Sequence, residues 1–264
     1  MHEPFVDIHC HILPGIDDGA EHWDDALAMA RLAADGGTST IVATPHQLGV
    51  FSQNRGEEIR ALVAELNDRL VAEAIPVAVL AGGEVRIEPG LLDGLVSGEL
   101  VTLGDHRRHL LLELPHELYL PVDSLMSELA ARRIAIILAH PERNEGILRQ
   151  PQLAGELVDA GCLMQITAGS LCGSMGSRFQ ETAEWLVNEG LVHLVATDGH
   201  GPRTRRPMMG RAHDRLLELT DLQTADDLCC RNPARVAAGR SIAAGRRAIP
   251  RRARRSWWSA KASA

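Results

Sequence analysis

Asp7-Ile8-His9-Cys10-His11, entered from Phe5-Val6 and running on through Pro14-Gly15 to Asp17-Asp18-Gly19, is the stretch around which the 264-residue chain is organised. Phe5-Val6-Asp7-Ile8 reads as a short buried strand, because aromatic and β-branched residues suit a pleated surface. Side chains alternate faces along a strand, so His9 and His11 point the same way, and two imidazoles converging at a strand end can share one metal ion. Taken alone, the pair fits equally well with one histidine satisfied in the core and the other at the surface. The rest of the chain decides between these, because further candidate ligands fall at the ends of later strands.

Apolar, β-branched runs at 38–44, 77–82, 109–112, 134–139, 162–167 and 191–197 predict six more strands. Helical periodicity predicts helices over 23–33, 57–74, 88–99, 122–133, 152–160, 179–189, 208–220 and 225–238. Seven strands alternating with helices imply right-handed βαβ units and a parallel sheet buried on both faces. A closed or nearly closed barrel, an α/β fold in a single domain over 1–244, is the simplest solution. The remainder, 245–264, is expected to be a basic, disordered tail, with Arg246, Arg247, Arg251, Arg252, Arg254 and Arg255 followed by Trp257-Trp258. Such a tail could touch an anionic membrane surface.

Net charge is −8, which argues against nucleic acid as a partner of the main body. No secretory signal is expected at the N-terminus, and no apolar run approaches the ~20 residues that cross a bilayer. The five cysteines have no framework spacing and fit reduced thiols in a cytoplasmic protein. Aromatics make up 3% of the chain, so an aromatic platform for a sugar or base is not expected.

The residues at or just past each strand end are His9 and His11, His46, Glu84, Glu113, His140, and Asp198 with His200. In a parallel barrel these ends open on one face, where active sites lie. Glu113 follows Leu110-Leu111-Leu112, and a carboxylate on so apolar a strand needs a cation or another partner. Asp198 and His200 repeat the two-residue spacing of His9 and His11. Asp18 reads as part of a turn, but its place beside the first ligand strand makes it a further candidate. This set of His, Asp and Glu without sulfur suits a polynuclear site for Mn, Fe or Zn and points to metal-assisted hydrolysis of a phosphoryl group. Arg143, three past His140, and Arg206, in the crowded arginine loop after His200, are the expected readers of phosphate oxygens.

The run of motifs Asp7-Ile8-His9-Cys10-His11, Asp17-Asp18-Gly19, Thr44-Pro45-His46, Gly83-Glu84, Leu112-Glu113, Ala139-His140-Pro141-Glu142-Arg143, Thr197-Asp198-Gly199-His200 and Asn232-Pro233 resembles the polymerase-and-histidinol-phosphatase (PHP) superfamily. The nearest branch is the bacterial capsular-polysaccharide tyrosine phosphatases of the CpsB/YwqE type, and the likeness runs from about Val6 to Val236. The resemblance implies a distorted (β/α)7 barrel with three divalent ions, usually manganese. It implies dephosphorylation of a phosphotyrosine protein, an autophosphorylated tyrosine kinase that controls exopolysaccharide export. Carried onto this chain, it places His9, His11, Glu84 and Asp198 around one ion and Glu84, Glu113 and His140 around a second. Asp18, His46 and His200 would hold the third, with Arg143 and Arg206 on the phosphate. It implies nothing for the tail, and the oligomeric state stays open.

Three other functions fit parts of the sequence. The same metals would serve histidinol-phosphate hydrolysis or another small-molecule phosphoesterase. Cys172-Gly173-Ser174-Met175-Gly176-Ser177-Arg178 has the Cys-x5-Arg spacing of cysteine-dependent phosphatases, although the strand before it is expected to end near Thr167. A non-catalytic binding protein would have to leave many rim acids and histidines unpaired.

Overall fold

A computed structural model describes residues 3–249. Among the described residues there are nine strands, β1 (Phe5–Cys10), β2 (Thr38–Ala43), β3 (His46–Gln47), β4 (Ala78–Ala81), β5 (Glu84–Arg86), β6 (His109–Glu113), β7 (Ala135–Ala139), β8 (Leu163–Thr167) and β9 (Leu194–Ala196), with helices between them except from β2 to β3 and from β4 to β5. All the ladders between them are parallel. The strands form two sheets, β1-β2-β4 and β3-β5-β6-β7-β8-β9.

The split into two sheets comes from two interruptions. Pro45, which has no N–H to donate, separates β2 from β3, and Gly82-Gly83 separates β4 from β5. The register is continuous across both breaks: Ala43 pairs with Ala81 below them, and His46 pairs with Glu84 above, at the same offset. Both glycines are forced by close approach. A Cβ on Gly83 would sit 2.4 Å from Gln47 Oε1, and one on Gly82 would sit 2.7 Å from Val42 Cγ1.

β9 then meets β1. The Asp198 N–H donates to His9 O and the His11 N–H donates to Gly199 O, each at 2.8 Å. The Thr197 N–H donates to Asp7 Oδ1 at 3.0 Å, and its hydroxyl donates to Asp7 Oδ2. Burial pushes the Asp7 carboxyl up to about 6 while the Thr197 bonds pull it down. Seven strand positions therefore run round a ring, the barrel expected from the alternation and, in its distorted (β/α)7 form, from the resemblance. Strand alternation divides the core: Leu111, Ile137, Leu163 and Leu194 gather with Ile8 and Val42 inside the ring, while Leu110, Leu112, Ile136, Met164 and Val195 join the layer under the helices. Glu113 continues the inward face of Leu111, and Asp198 that of Leu194 and Ala196.

The expected helix over 225–238 is divided: a π-helical turn, Asp227–Arg231, links Leu222–Asp226 to Asn232–Ala237. Short helices at Glu145–Arg149 and Ala168–Leu171 follow two of the strands without a periodic signal in the sequence. Residues 245–249, assigned above to the tail, lie against the body. Arg246 bonds Asp159 at 2.8 Å, the Arg247 N–H donates to Gly190 O at 2.7 Å, and Arg247 pairs with Asp227 at 2.7 Å. The remaining tail, including Trp257-Trp258, lies outside the described residues. Among the described residues no helix is long and apolar enough to cross a membrane.

His193, just ahead of β9, makes a prediction. Its Nδ1 accepts the Met164 N–H at 3.1 Å and its Nε2 donates to Gly245 O at 3.0 Å, so the ring is held neutral. Burial lowers it to about 4. Because the folded value lies below the unfolded one, the stabilisation is complete above about pH 6.5 and is lost as pH falls towards 4, by an amount of order 3 kcal/mol. Acid unfolding curves of wild type and His193→Gln are expected to converge over that window, wild type being the steeper; parallel curves would refute this.

Candidate metal centre

Each candidate ligand is placed by backbone that the sequence dictates. β1 carries His9 and leads into His11, and their Nε2 atoms stand 3.2 Å apart, as the two-residue spacing predicts. His46 and Glu84 open β3 and β5 as ladder partners. His140 and Asp198 leave β7 and β9 in left-handed backbone, with φ of 35° and 52°. That conformation is sparsely populated for residues other than glycine and swings both side chains into the cleft.

The donors converge. His11, Asp18, His46 and His200 each bring one ligand atom to within 4.8 Å of the others, and so do three further groups: His9, His11 and Glu84; His9, His140 and Asp198; and His46, Glu84 and Glu113. Shared members join the four groups into one centre. Glu84 lies in the middle, fully buried, with Oε1 2.7 Å from His140 Nε2. Its Oε2 has no hydrogen-bond partner yet lies 3.3 Å from the Nε2 atoms of His9 and His11 and 3.1 Å from His46 Nδ1. A carboxylate oxygen buried among three ring nitrogens fits a shared cation, so the donor set passes the chemical test for divalent metal. Three details differ from the expected grouping. Glu113 stands with His46 and Glu84 rather than with His140, His11 also joins the Asp18, His46 and His200 group, and Asp198 stands with His9 and His140.

The electrostatics follow from this crowding. Burial alone would raise the Glu84 carboxyl, but His9 and His140 hold it well below the usual range. Glu113 has no such surplus of cations; burial and the charge of Glu84 push it up to about 7. Burial lowers His140 to about 4 and brings His200 down as well, whereas at His9, His11 and His46 the neighbouring carboxylates outweigh burial and raise the rings.

Two orienting residues carry no signal in the sequence beyond their type. Asp17 Oδ2 lies 2.7 Å from His11 Nδ1 and also accepts the backbone N–H of His46 at 3.1 Å, so one carboxylate fixes the His11 ring and the main chain that carries His46. Gln165, on the inward face of β8, brings Oε1 within 2.8 Å of His9 Nδ1. Such partners set ring orientation and tautomer at metal centres.

The centre forms the floor of an open cleft of roughly 300 Å³, whose walls include Arg86, His116, Arg143 and Arg205. Arg143 Nη1 donates to Asp198 Oδ2 at 2.5 Å, and Arg205 pairs with the same oxygen. Arg206, the arginine expected at this position, does not line the cleft; its neighbour Arg205 does. Arg205→Ala is therefore expected to raise KM for a phosphate monoester about tenfold, the worth of a charge-assisted contact, while Arg206→Ala stays within about twofold. Steady-state kinetics of the two variants separate them.

The cysteine alternative does not assemble. Burial raises the Cys172 thiol, and Arg178 forks onto Glu145 at 2.7 and 3.0 Å instead of returning to the loop.

Residues 5–238 match the family described as capsular polysaccharide synthesis, CpsB/CapC. The chain is 39% identical over 202 residues to the tyrosine-protein phosphatase YwqE of Bacillus subtilis (strain 168), covering 76% of this chain and 79% of that protein. It is 26% identical over 236 residues to the tyrosine-protein phosphatase CpsB of Streptococcus pneumoniae, covering 88% of this chain and 97% of that one. Its fold superimposes with a TM-score of 0.87, at 34% identity and over 93% of this chain and 100% of the other, on a crystal structure from work on YwqE from Bacillus subtilis and CpsB from Streptococcus pneumoniae, described there as unique metal-dependent tyrosine phosphatases.

Proposed function

The chain belongs to the CpsB/CapC family of capsular polysaccharide synthesis, and from that premise we propose that it is a metal-dependent phosphatase hydrolysing phosphotyrosine on protein. The observation that carries this reading is Glu84 Oε2, buried without a hydrogen bond and facing the ring nitrogens of His9, His11 and His46. The ligands are His9, His11, Asp18, His46, Glu84, Glu113, His140, Asp198 and His200, holding three divalent ions, manganese by preference. The physiological substrate is an autophosphorylated tyrosine kinase of exopolysaccharide export, met in the cytoplasm.

When bound, the metals supply activation of water and neutralisation of charge on the transferring phosphoryl group. The chain's own residues do the rest. Arg143 and Arg205 bind phosphoryl oxygens, since each guanidinium has N–H donors beyond those turned to Asp198. Asp17 and Gln165 keep His11 and His9 in fixed tautomers, so the donors are arranged before substrate arrives. The buried apolar ring beneath, with Leu111 and Leu194 at its centre, shuts bulk water out from below.

The test is a substrate panel. A phosphotyrosine peptide should be hydrolysed in a chelator-sensitive reaction that thiol alkylation leaves intact. Turnover of histidinol phosphate well above that of the peptide would overturn the tyrosine-phosphatase reading, and chelator-resistant activity lost on alkylation would overturn the metal reading.

A further inference from the structure

His116 stands at the mouth of the cleft, on the loop that leaves β6, with its side chain 42% exposed. It belongs to none of the ligand groups. Its Nε2 lies 2.9 Å from Nη2 of Arg143, whose other arm holds Asp198 Oδ2 at 2.5 Å. An arginine can only donate, so the His116 Nε2 must accept, and the ring is the neutral tautomer with its proton on Nδ1. The Arg143 side chain is 12% exposed and is gripped at both ends of its fork.

The choice of partner has a consequence. A second carboxylate opposite Arg143 would hold the fork equally well but would cancel the charge that a phosphate needs. A neutral imidazole fixes the direction of the guanidinium and leaves its positive charge available. The ring itself is held edge-on against His140, with centroids 5.4 Å apart and planes at 69°.

The loop cannot drift away from Arg143, because the segment just after Arg143 clamps it. The Asn144 amide donates to Pro115 O at 2.8 Å and Leu118 O at 3.1 Å, and the Glu145 N–H donates to His116 O at 2.8 Å. Gly146 completes the clamp: a Cβ there would lie 2.4 Å from Tyr119 Cβ. Donor and acceptor are thus mounted on two pieces of backbone bolted to each other.

We propose that His116 is a positioning residue that aims the Arg143 guanidinium at the substrate phosphoryl group, with Asn144 holding the loop that carries it. The inference rests on the reading of Arg143 as a phosphate binder. The experiment is a double-mutant cycle on the metal-loaded full chain, using p-nitrophenyl phosphate for kinetics and inorganic phosphate as the binding probe.

His116→Ala should raise KM and the dissociation constant of inorganic phosphate about tenfold, the loss falling on binding rather than on kcat. His116→Gln, whose amide oxygen accepts the same bond, should recover most of the loss. Asn144→Ala should reproduce the defect in milder form, and His116→Ala should add nothing in an Arg143→Ala background. Additive effects, failure of Gln to rescue, or loss of bound metal together with affinity would overturn the proposal. If Arg143→Ala itself leaves phosphate affinity unchanged, the phosphate-binding reading of Arg143 falls first. If Arg143→Ala weakens binding and His116→Ala does not, the positioning role alone is refuted.

Discussion

Glu84→Gln is expected to lower kcat on a phosphotyrosine peptide by about a thousandfold or more, several kcal/mol of lost charge stabilisation at about 1.4 kcal/mol per decade. Glu84 lies on the inward side of four imidazoles, within 3.3 Å of ring nitrogens of His9, His11, His46 and His140. The amide keeps the shape and the burial but removes the negative charge that all four rings share. Because Glu84 belongs to two of the four ligand groups, the variant should lose metal stoichiometry as well as rate, which elemental analysis will read. A variant that keeps full metal content and more than a tenth of the rate would show that the centre is organised around another acid.

The second large effect is expected on chelation. Removing divalent ions should abolish turnover and should also lower Tm, because ions that bind only the folded chain add about 2.7 kcal/mol of stability at a hundredfold excess over Kd. For a domain of this size that corresponds to roughly 5–10 °C. Adding Mn2+ back should restore both together. Loss of activity with an unchanged Tm would mean that the buried His and carboxylate cluster satisfies itself without cations, contrary to the orphaned Glu84 oxygen.

The strand positions were legible because each is a nearly continuous apolar run, and the sequence ends of those runs deliver His9, His11, His46, Glu84, Glu113, His140, Asp198 and His200 to one cleft. What could not be read is set by tertiary contact. Gln165 looks like any polar residue in a strand until β8 brings it to His9 across 156 residues. Asp17 and Asp18 are adjacent in a turn, yet one braces His11 while the other faces His46 and His200. Arg205 and Arg206 are equally good phosphate readers by composition; only the left-handed backbone of Arg205, with φ of 46°, sends one of them into the cleft. The short strands β3 and β5 were hidden by Pro45 and by Gly82-Gly83, residues that ordinarily end a strand but here only bend it.

The seam between β1 and β9 has a consequence for how the enzyme comes into being. Asp7 finds Thr197 190 residues later, and His11 finds Gly199, so β1 waits for the last of the described strands before its free edge is covered. Contacts of such long sequence separation form late and slowly. Until they form, Asp198 and His200 cannot reach His9 and His11, and the nascent chain carries only fragments of a ligand set. Chains cut short before β9 are therefore expected to lack Asp198 and His200, two of the proposed ligands, and with them activity.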